Sequence, residues 1–308
     1  MSSADALLVH DNRRLRLTFW PGCGGRLIGI EIDGVQLLWR NPDYISAEGT
    51  LVAPKATWRP LDGTMGSWAN VGGSKTWPAP QGWDGPGQWP GPPDGVLDSG
   101  EWELDQAAAD GITTLTLISP PDPRSGLQIT RVFRIPDGGT GFAQDISFVN
   151  VGHAPVRWSI WEVCQADTET GGDVVVTVAD SQPPTVMLDV VGQMPTGWPE
   201  PGARRVPIID VVGKLGFSNA SGSVCLTRRD GAQITIRFEP VEGAEYPDGG
   251  ARVELWNQYP IPAPLEEYGG LHPSARLIEL EVLGPLVTLQ PGQRTCLHLD
   301  WAITAPRG

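Results

Sequence analysis

Residues 276–301 read RLIELEVLGPLVTLQPGQRTCLHLDW. The spacing predicts a strand, a break at Gly284-Pro285, a second strand, a Pro291-Gly292 turn and a last strand. In the first strand Ile278, Leu280 and Val282 fall on one face, and Leu277, Glu279, Glu281 and Leu283 on the other. Successive side chains of a strand point to opposite faces, so residues two apart share a face about 6–7 Å apart. The expectation is a half-buried strand with an apolar row in a core and two carboxylates looking out.

The same grammar extends outward. Short apolar or alternating runs recur between Gly, Pro, Asp and Asn, and helical periodicity is almost absent. Strands are predicted at 15–19, 26–32, 36–39, 113–119, 127–135, 141–150, 156–165, 173–179, 222–228, 232–239 and 252–259, with Asp33-Gly34 turning the second into the third. With the closing stretch this makes roughly fifteen strands, enough for an all-β domain of two large, mostly antiparallel sheets packed face to face, spanning 1–308. Two segments break the rhythm. Residues 58–102 hold Trp58, Trp68, Trp77, Trp83, Trp89 and Trp102 among many Gly and Pro, and 181–221 is a second excursion. Long irregular segments inside compact domains are commonly functional, and both are expected to wall a pocket.

Composition narrows the partners. The 308 residues carry 22 basic and 36 acidic side chains, a formal net charge of −14. Such a surface is poorly suited to nucleic acid or an anionic membrane and suits a small neutral or cationic molecule. The N-terminus lacks the charged start and apolar run of a signal peptide, and no apolar stretch approaches the ~20 residues of a membrane helix. Cys23, Cys164, Cys225 and Cys296 have no CxxC spacing, so four buried thiols in a reducing cytoplasm are expected. No metal-ligand motif is present, and neither metal nor organic cofactor is expected.

Four segments, in order, resemble the galactose mutarotase-like (aldose 1-epimerase) superfamily. GCGGRLIGIEIDGVQLLW (22–39) is similar to the family's opening bend, strand, turn and LLW strand. Gly72-Gly73-Ser74-Lys75-Thr76-Trp77-Pro78 is similar to the GG-x-x-x-x-WP segment of hexose-phosphate epimerases, one residue shorter. Residues 150–155 followed by 157–161 resemble the strand that carries a substrate-facing histidine. LEVLGPLVTLQPGQ (280–293) resembles the strand of the catalytic glutamate. The resemblance implies a β-supersandwich with a sugar-sized groove, and anomeric epimerisation without a cofactor. In that chemistry a glutamate removes the O1 proton, a histidine protonates the ring oxygen, and the ring opens and recloses. Glu281 matches the glutamate. Trp161 stands where the histidine is expected, and the HGFAR motif is replaced by PPDGVLDSGEW (92–102). His10, His153, His272 and His298 lie elsewhere.

Candidate site residues follow from chemistry and from that alignment. Glu281 and Glu279 are candidate acid/base groups, able to push each other's proton affinities apart. His272, in the loop before their strand, is a candidate replacement acid. Arg252, Glu254, Trp256 and Gln258 share a strand face that mixes hydrogen-bonding groups with a stacking surface, as a sugar site does. Arg157, Ser159 and Trp161 share another, from which an indole can stack on a ring or press on a carboxyl. Lys75, Trp77 and Gln81, with Asp94, Asp98 and Glu101, come from the Trp-rich segment. Each has a plainer alternative as a core side chain, a turn or a solvated charge. The expected partner is a carbohydrate or similar ring; an apolar ligand turned over by a lyase or cyclase, and a carbohydrate-binding module without catalysis, are the other readings.

Overall fold

The computed structural model describes residues 3–82 and 89–307; Trp83 lies outside the described residues. The strands in chain order are β1 (Leu8–Asp11), β2 (Leu15–Trp20), β3 (Arg26–Ile32), β4 (Val35–Gln36), β5 (Gly73–Ala79), β6 (Glu103–Ala109), β7 (Ile112–Ile118), β8 (Leu127–Pro136), β9 (Gly141–Asn150), β10 (Val156–Asp167) and β11 (Gly172–Val178). They continue with β12 (Thr185–Val191), β13 (Trp198–Glu200), β14 (Ala203–Pro207), β15 (Val212–Phe217), β16 (Ala220–Arg228), β17 (Gln233–Arg237), β18 (Val253–Gln258), β19 (Leu277–Leu283), β20 (Val287–Leu289) and β21 (Arg294–Thr304).

Two large antiparallel sheets result. The first runs β1-β2-β3-β5-β10-β19-β18-β15-β12, with β4 on β3 and β20 on β10. The second runs β13-β14-β11-β16-β17-β21-β9-β8-β7-β6. The inner faces meet in one apolar core, in which Ile278, Leu280, Val282, Leu255 and Leu215 from the first sheet join Ile129, Phe133, Ile146, Leu299 and Trp301 from the second. An ion pair is built into this core. Arg131 on β8 donates to Glu162 Oε1 on β10 at 2.7 Å, to Ser74 Oγ at 2.7 Å and to the Gly25 carbonyl at 2.7 Å, and the Ser74 and Thr76 hydroxyls also donate to Glu162. Both Arg131 and Glu162 are fully buried. The remaining donors satisfy charges that would otherwise be prohibitively expensive out of water.

Several expectations need correction. The strand around Glu281 is not half-buried. Every residue of β19 except Glu279 is buried, because its outer face is covered as well as its inner one. The segment 58–102 is not wholly irregular. Its middle is β5, which lies between β3 and β10 with all seven residues buried. Likewise 181–221 contains β12 to β15 and the start of β16. β12 pairs with β15 through two register shifts and exposes Val186 and Leu188, so its alternation is broken. β6, ELDQAAA, gives no pattern because it is an exposed edge with little to bury. The thiols also differ. Cys23 and Cys164 are buried, but Cys225 is half-buried and Cys296 is exposed, on the outward-facing side of β21; all four are free. Among the described residues no helix is long and apolar enough to cross a membrane.

Candidate active site

The outer face of the central strands carries the chemistry, and strand register places it. One row across the sheet reads Lys75 (β5), Val163 (β10), Glu281 (β19), Glu254 (β18) and Gly216 (β15). The next reads Gly73, Gln165, Glu279, Trp256 and Lys214. Directly opposed residues of antiparallel strands share a face, so these side chains all stand on one surface.

Two charged groups form on it. In the first, Lys214 Nζ lies 2.5 Å from Glu254 Oε2 and 2.9 Å from Glu281 Oε2. Trp161 Nε1–H donates to the same Glu281 Oε2 at 2.6 Å, and the Lys214 ammonium sits 4.6 Å from the Trp161 ring centroid. Glu281 Oε1 is buried and has no hydrogen-bond partner among the described residues. Burial raises the Glu281 carboxyl well above the usual range; Lys214 pulls it down, and Glu254 and Glu279 push it up. Burial disfavours the Lys214 ammonium, yet Glu254 and Glu281 outweigh that and hold it above the ordinary lysine value. Asp248 reaches toward this group from a turn over Pro247–Gly250, in which it holds the left-handed conformation (φ 54°, ψ 46°). Although the residue is exposed, partial burial of its carboxyl, then the adjacent Glu254, push it up to about 6.

In the second group, Lys75 Nζ is 3.4 Å from Glu279 Oε1, which also accepts from Gln165 Nε2 at 2.6 Å. The Lys75 ammonium lies 4.6 Å from the Trp77 centroid and 5.5 Å from that of Trp68. Burial drives its pKa down to about 8 against the pull of Glu279. Trp77 packs edge-on to Trp161 at 5.5 Å, and on its other sides meets Trp89 at 5.1 Å and Trp68 at 6.1 Å. These indoles cover Lys75 and leave Trp77 only 3% exposed. Trp68 is fixed in turn by Nε1–H donation to Asp98 at 2.9 Å, and Asp98 pairs with the buried Arg26.

A cavity of about 520 Å³ opens beside the first group. Asp248, Glu245, Tyr246, Arg252, Ser218 and Pro80 are among its walls. Arg252 lies over the Tyr246 ring at 5.3 Å and donates to the Ala220 carbonyl at 3.2 Å.

The structure thus brings Glu281, Glu279, Lys75, Trp77, Trp161, Glu254 and Trp256 onto one surface, with Arg252 in the adjoining cavity. It places others apart. Asp94 caps a turn, accepting from the Val96 and Leu97 amides at 2.7 Å each, and binds Trp89 and Arg124. His272 is exposed and its ring meets the Ile261 carbonyl at 3.1 Å, with no bond to either glutamate. Arg157 is exposed and pairs with Glu245 at 2.5 Å, at the cavity rim. Gln81 makes an isolated bridge with Trp89, and its amide lies against Gly91. Glu101 is exposed. Sequence reasoning missed Lys214 and Asp248. A lone lysine in VGKLGF, between residues that alternate apolar and small, was a legible signal for the first. For Asp248 in PDGG there was only a turn.

No family model matches this chain, and no curated protein matches it in sequence. Its fold, however, has solved counterparts. A candidate aldose 1-epimerase from Escherichia coli K12 superposes with a TM-score of 0.59 at 13% identity, over 97% of this chain and 99% of that one. A galactose mutarotase-like protein from Lactobacillus casei gives 0.54 at 11%, over 97% and 100%. A TPR-domain containing protein from Parabacteroides distasonis gives 0.59 at 12%, over 98% of this chain; the chain spans only 48% of that protein's length. The two face-to-face antiparallel sheets are those of the galactose mutarotase-like fold.

Proposed function

We propose that this chain is a cofactor-free acid/base enzyme acting on a carbohydrate or sugar-like ring, an epimerase or isomerase, with Glu281 as its principal proton-transfer group. The observation that carries the reading is the Glu281 carboxyl itself. It is fully buried on a mutarotase-like sheet, raised in proton affinity, and has one oxygen bound by Lys214 and Trp161 while the other is unpaired. A carboxyl tuned toward neutrality is what general acid/base catalysis requires. Glu281 is enclosed on all sides, so direct contact with a ring requires Trp161 or Lys214 to be displaced. Exchange between anomers of freshly dissolved aldoses, followed by NMR, tests the reading. Glu281→Gln is expected to lose roughly 10²-fold or more of the catalysed rate; an unchanged rate refutes the assignment.

One observation favours a second reading, a lyase or cyclase on a more apolar molecule. Trp68, Trp77, Trp89 and Trp161 form a continuous, largely buried aromatic cluster beside the two glutamates. Accumulation of a non-sugar intermediate in a deletion strain, with no anomer exchange by the purified protein, distinguishes the two.

A further inference from the structure

Trp161 cannot serve as an acid, because an indole N–H does not titrate in water. The proton for a ring oxygen must come from another group, and that group must face a ligand. Glu281 and Glu254 are at most 1% exposed. Asp248 is the carboxyl of this network that lines the cavity and opens to solvent.

Burial of the carboxyl, and then the charges around it, make it hold a proton readily. Asp248 faces Glu254 and Lys214, and Glu245 and Arg252 line the same cavity. Lys214 is engaged by two carboxyls already, Glu254 and Glu281. Arg252 is turned to Ala220 and Tyr246, and Glu245 to Arg157. Among the described residues Lys214 is the cation that acts on Asp248, and its pull is weaker than burial and the adjacent Glu254, which together keep the proton on.

We propose that Asp248 is a catalytic residue of this cavity, and that its single carboxyl both gives and takes the proton of ring opening. This rests on the isomerase reading above but not on its assignment of the proton transfer to the enclosed Glu281, which Asp248 replaces as the group in contact with the ring. The anomeric hydroxyl and the ring oxygen are bonded to the same carbon, so the two oxygens of one carboxyl can face both. The protonated oxygen gives its proton to the ring oxygen as the bond from that oxygen to the anomeric carbon breaks. The electrons of the hydroxyl O–H bond form the carbonyl, and the other carboxyl oxygen takes the hydroxyl proton. The acid is regenerated, with its proton on the opposite oxygen. Reclosure on the other face of the carbonyl runs the same exchange backwards. No histidine is needed, and Glu254 and Lys214 act behind Asp248 by setting its proton affinity.

Asp248→Asn is the test, since asparagine tolerates the left-handed conformation Asp248 occupies and keeps its shape. The probes are the α-anomers of D-glucose and D-galactose, followed by NMR between pH 4.5 and 8.5. The wild-type rate is expected to fall tenfold per pH unit above the Asp248 titration. Asp248→Asn is expected to lose roughly 10²-fold with no such pH dependence, and Asp248→Glu to recover part of the rate. The carboxyl resonance of ¹³C-labelled Asp248 is expected to titrate near 6 and to move when sugar is added. Exchange that survives in Asp248→Asn with the wild-type pH profile overturns the proposal while leaving the isomerase reading intact. Absence of exchange by the wild-type protein on any aldose overturns both.

Discussion

Replacing Lys214 with methionine isolates the electrostatics of the site. The ammonium lies 2.5 Å from Glu254 and 2.9 Å from Glu281, and those carboxyls are 1% and 0% exposed. Methionine keeps most of the volume and removes the charge. Removing one partner from a buried ion pair costs about 3–5 kcal/mol, because the remaining charge is left in a poor solvent. Here two cross-strand neighbours are left together. The loss must depend on pH, and its sign is fixed. The Glu281 carboxyl binds its proton more tightly folded than unfolded. Such a group supplies stability that is fully present below its unfolded pKa and is lost as pH rises through its folded pKa. Lys214 is the cation that pulls Glu281 down, so the variant raises it further. The expected destabilisation is therefore the full loss of about 3–5 kcal/mol near pH 8, shrinking toward pH 5 as Glu281 takes up its proton.

Urea unfolding at both pH values, at fixed ionic strength and with the m-value monitored, measures this. A second arm separates charge from packing. Adding Glu254→Gln and Glu281→Gln to the methionine variant removes every charge of the pair and is expected to restore most of the loss, because neutralising all partners is far cheaper than stranding one. The reasoning fails if Lys214→Met costs the same at pH 5 and pH 8, if it costs less than about 1 kcal/mol at pH 8, or if the triple variant is less stable than the single one.

Arg131→Met strands Glu162 between the sheets and is expected to cost about 3–5 kcal/mol by urea unfolding, with Arg131→Met/Glu162→Leu recovering most of it. Trp161→Phe keeps the aromatic packing on Trp77 but removes the indole donor to Glu281, and a loss of about 1.5–3 kcal/mol is expected near pH 8, the range for hydrogen bonds to charged groups. With iodoacetamide on the native protein, mass spectrometry is expected to find Cys296 labelled first and Cys23 and Cys164 protected until the chain unfolds. In Cys23 and Cys164 burial also raises the thiol pKa, which suppresses the reactive thiolate.

How far the fold was legible follows from which strands bury one face. β8, β9 and β21 alternate because one side meets the core and the other meets water, and the period of two is written in their residues. β5 and β10 are buried on both sides, so Gly73–Ala79 carries no alternation and reads as part of a Trp-rich irregular stretch. β6 and β12, exposed edges, have too little to bury to leave a pattern. The site divides in the same way. The shared face of Glu279 and Glu281 follows from spacing alone. The pairing of Lys75 with Glu279 joins residues 204 positions apart, and that of Lys214 with Glu281 depends on β15 lying beyond β18. Only sheet order supplies such contacts, and local periodicity does not contain it.

Sheet order also explains why two glutamates on one strand face come to differ. Glu279 lies in the row whose β10 member is Gln165, an amide that donates to it, and its side chain keeps 13% exposure. Glu281 lies one row along, opposite Val163 on one side and Glu254 on the other, and has none. Burial, with a like charge beside it, raises the proton affinity of the Glu281 carboxyl. Lys214 can neutralise only one of the two carboxylates it touches. The second negative charge must be relieved by a proton, and the proton can reside on Glu281 or, nearer solvent, on Asp248. A network that shares one proton among several carboxyls around a single lysine can pass that proton to whichever group a ligand engages. The Trp161 indole does not titrate and cannot take part in that exchange, so acid chemistry at this site falls to the carboxyls and to the Lys75 ammonium, lowered to about 8.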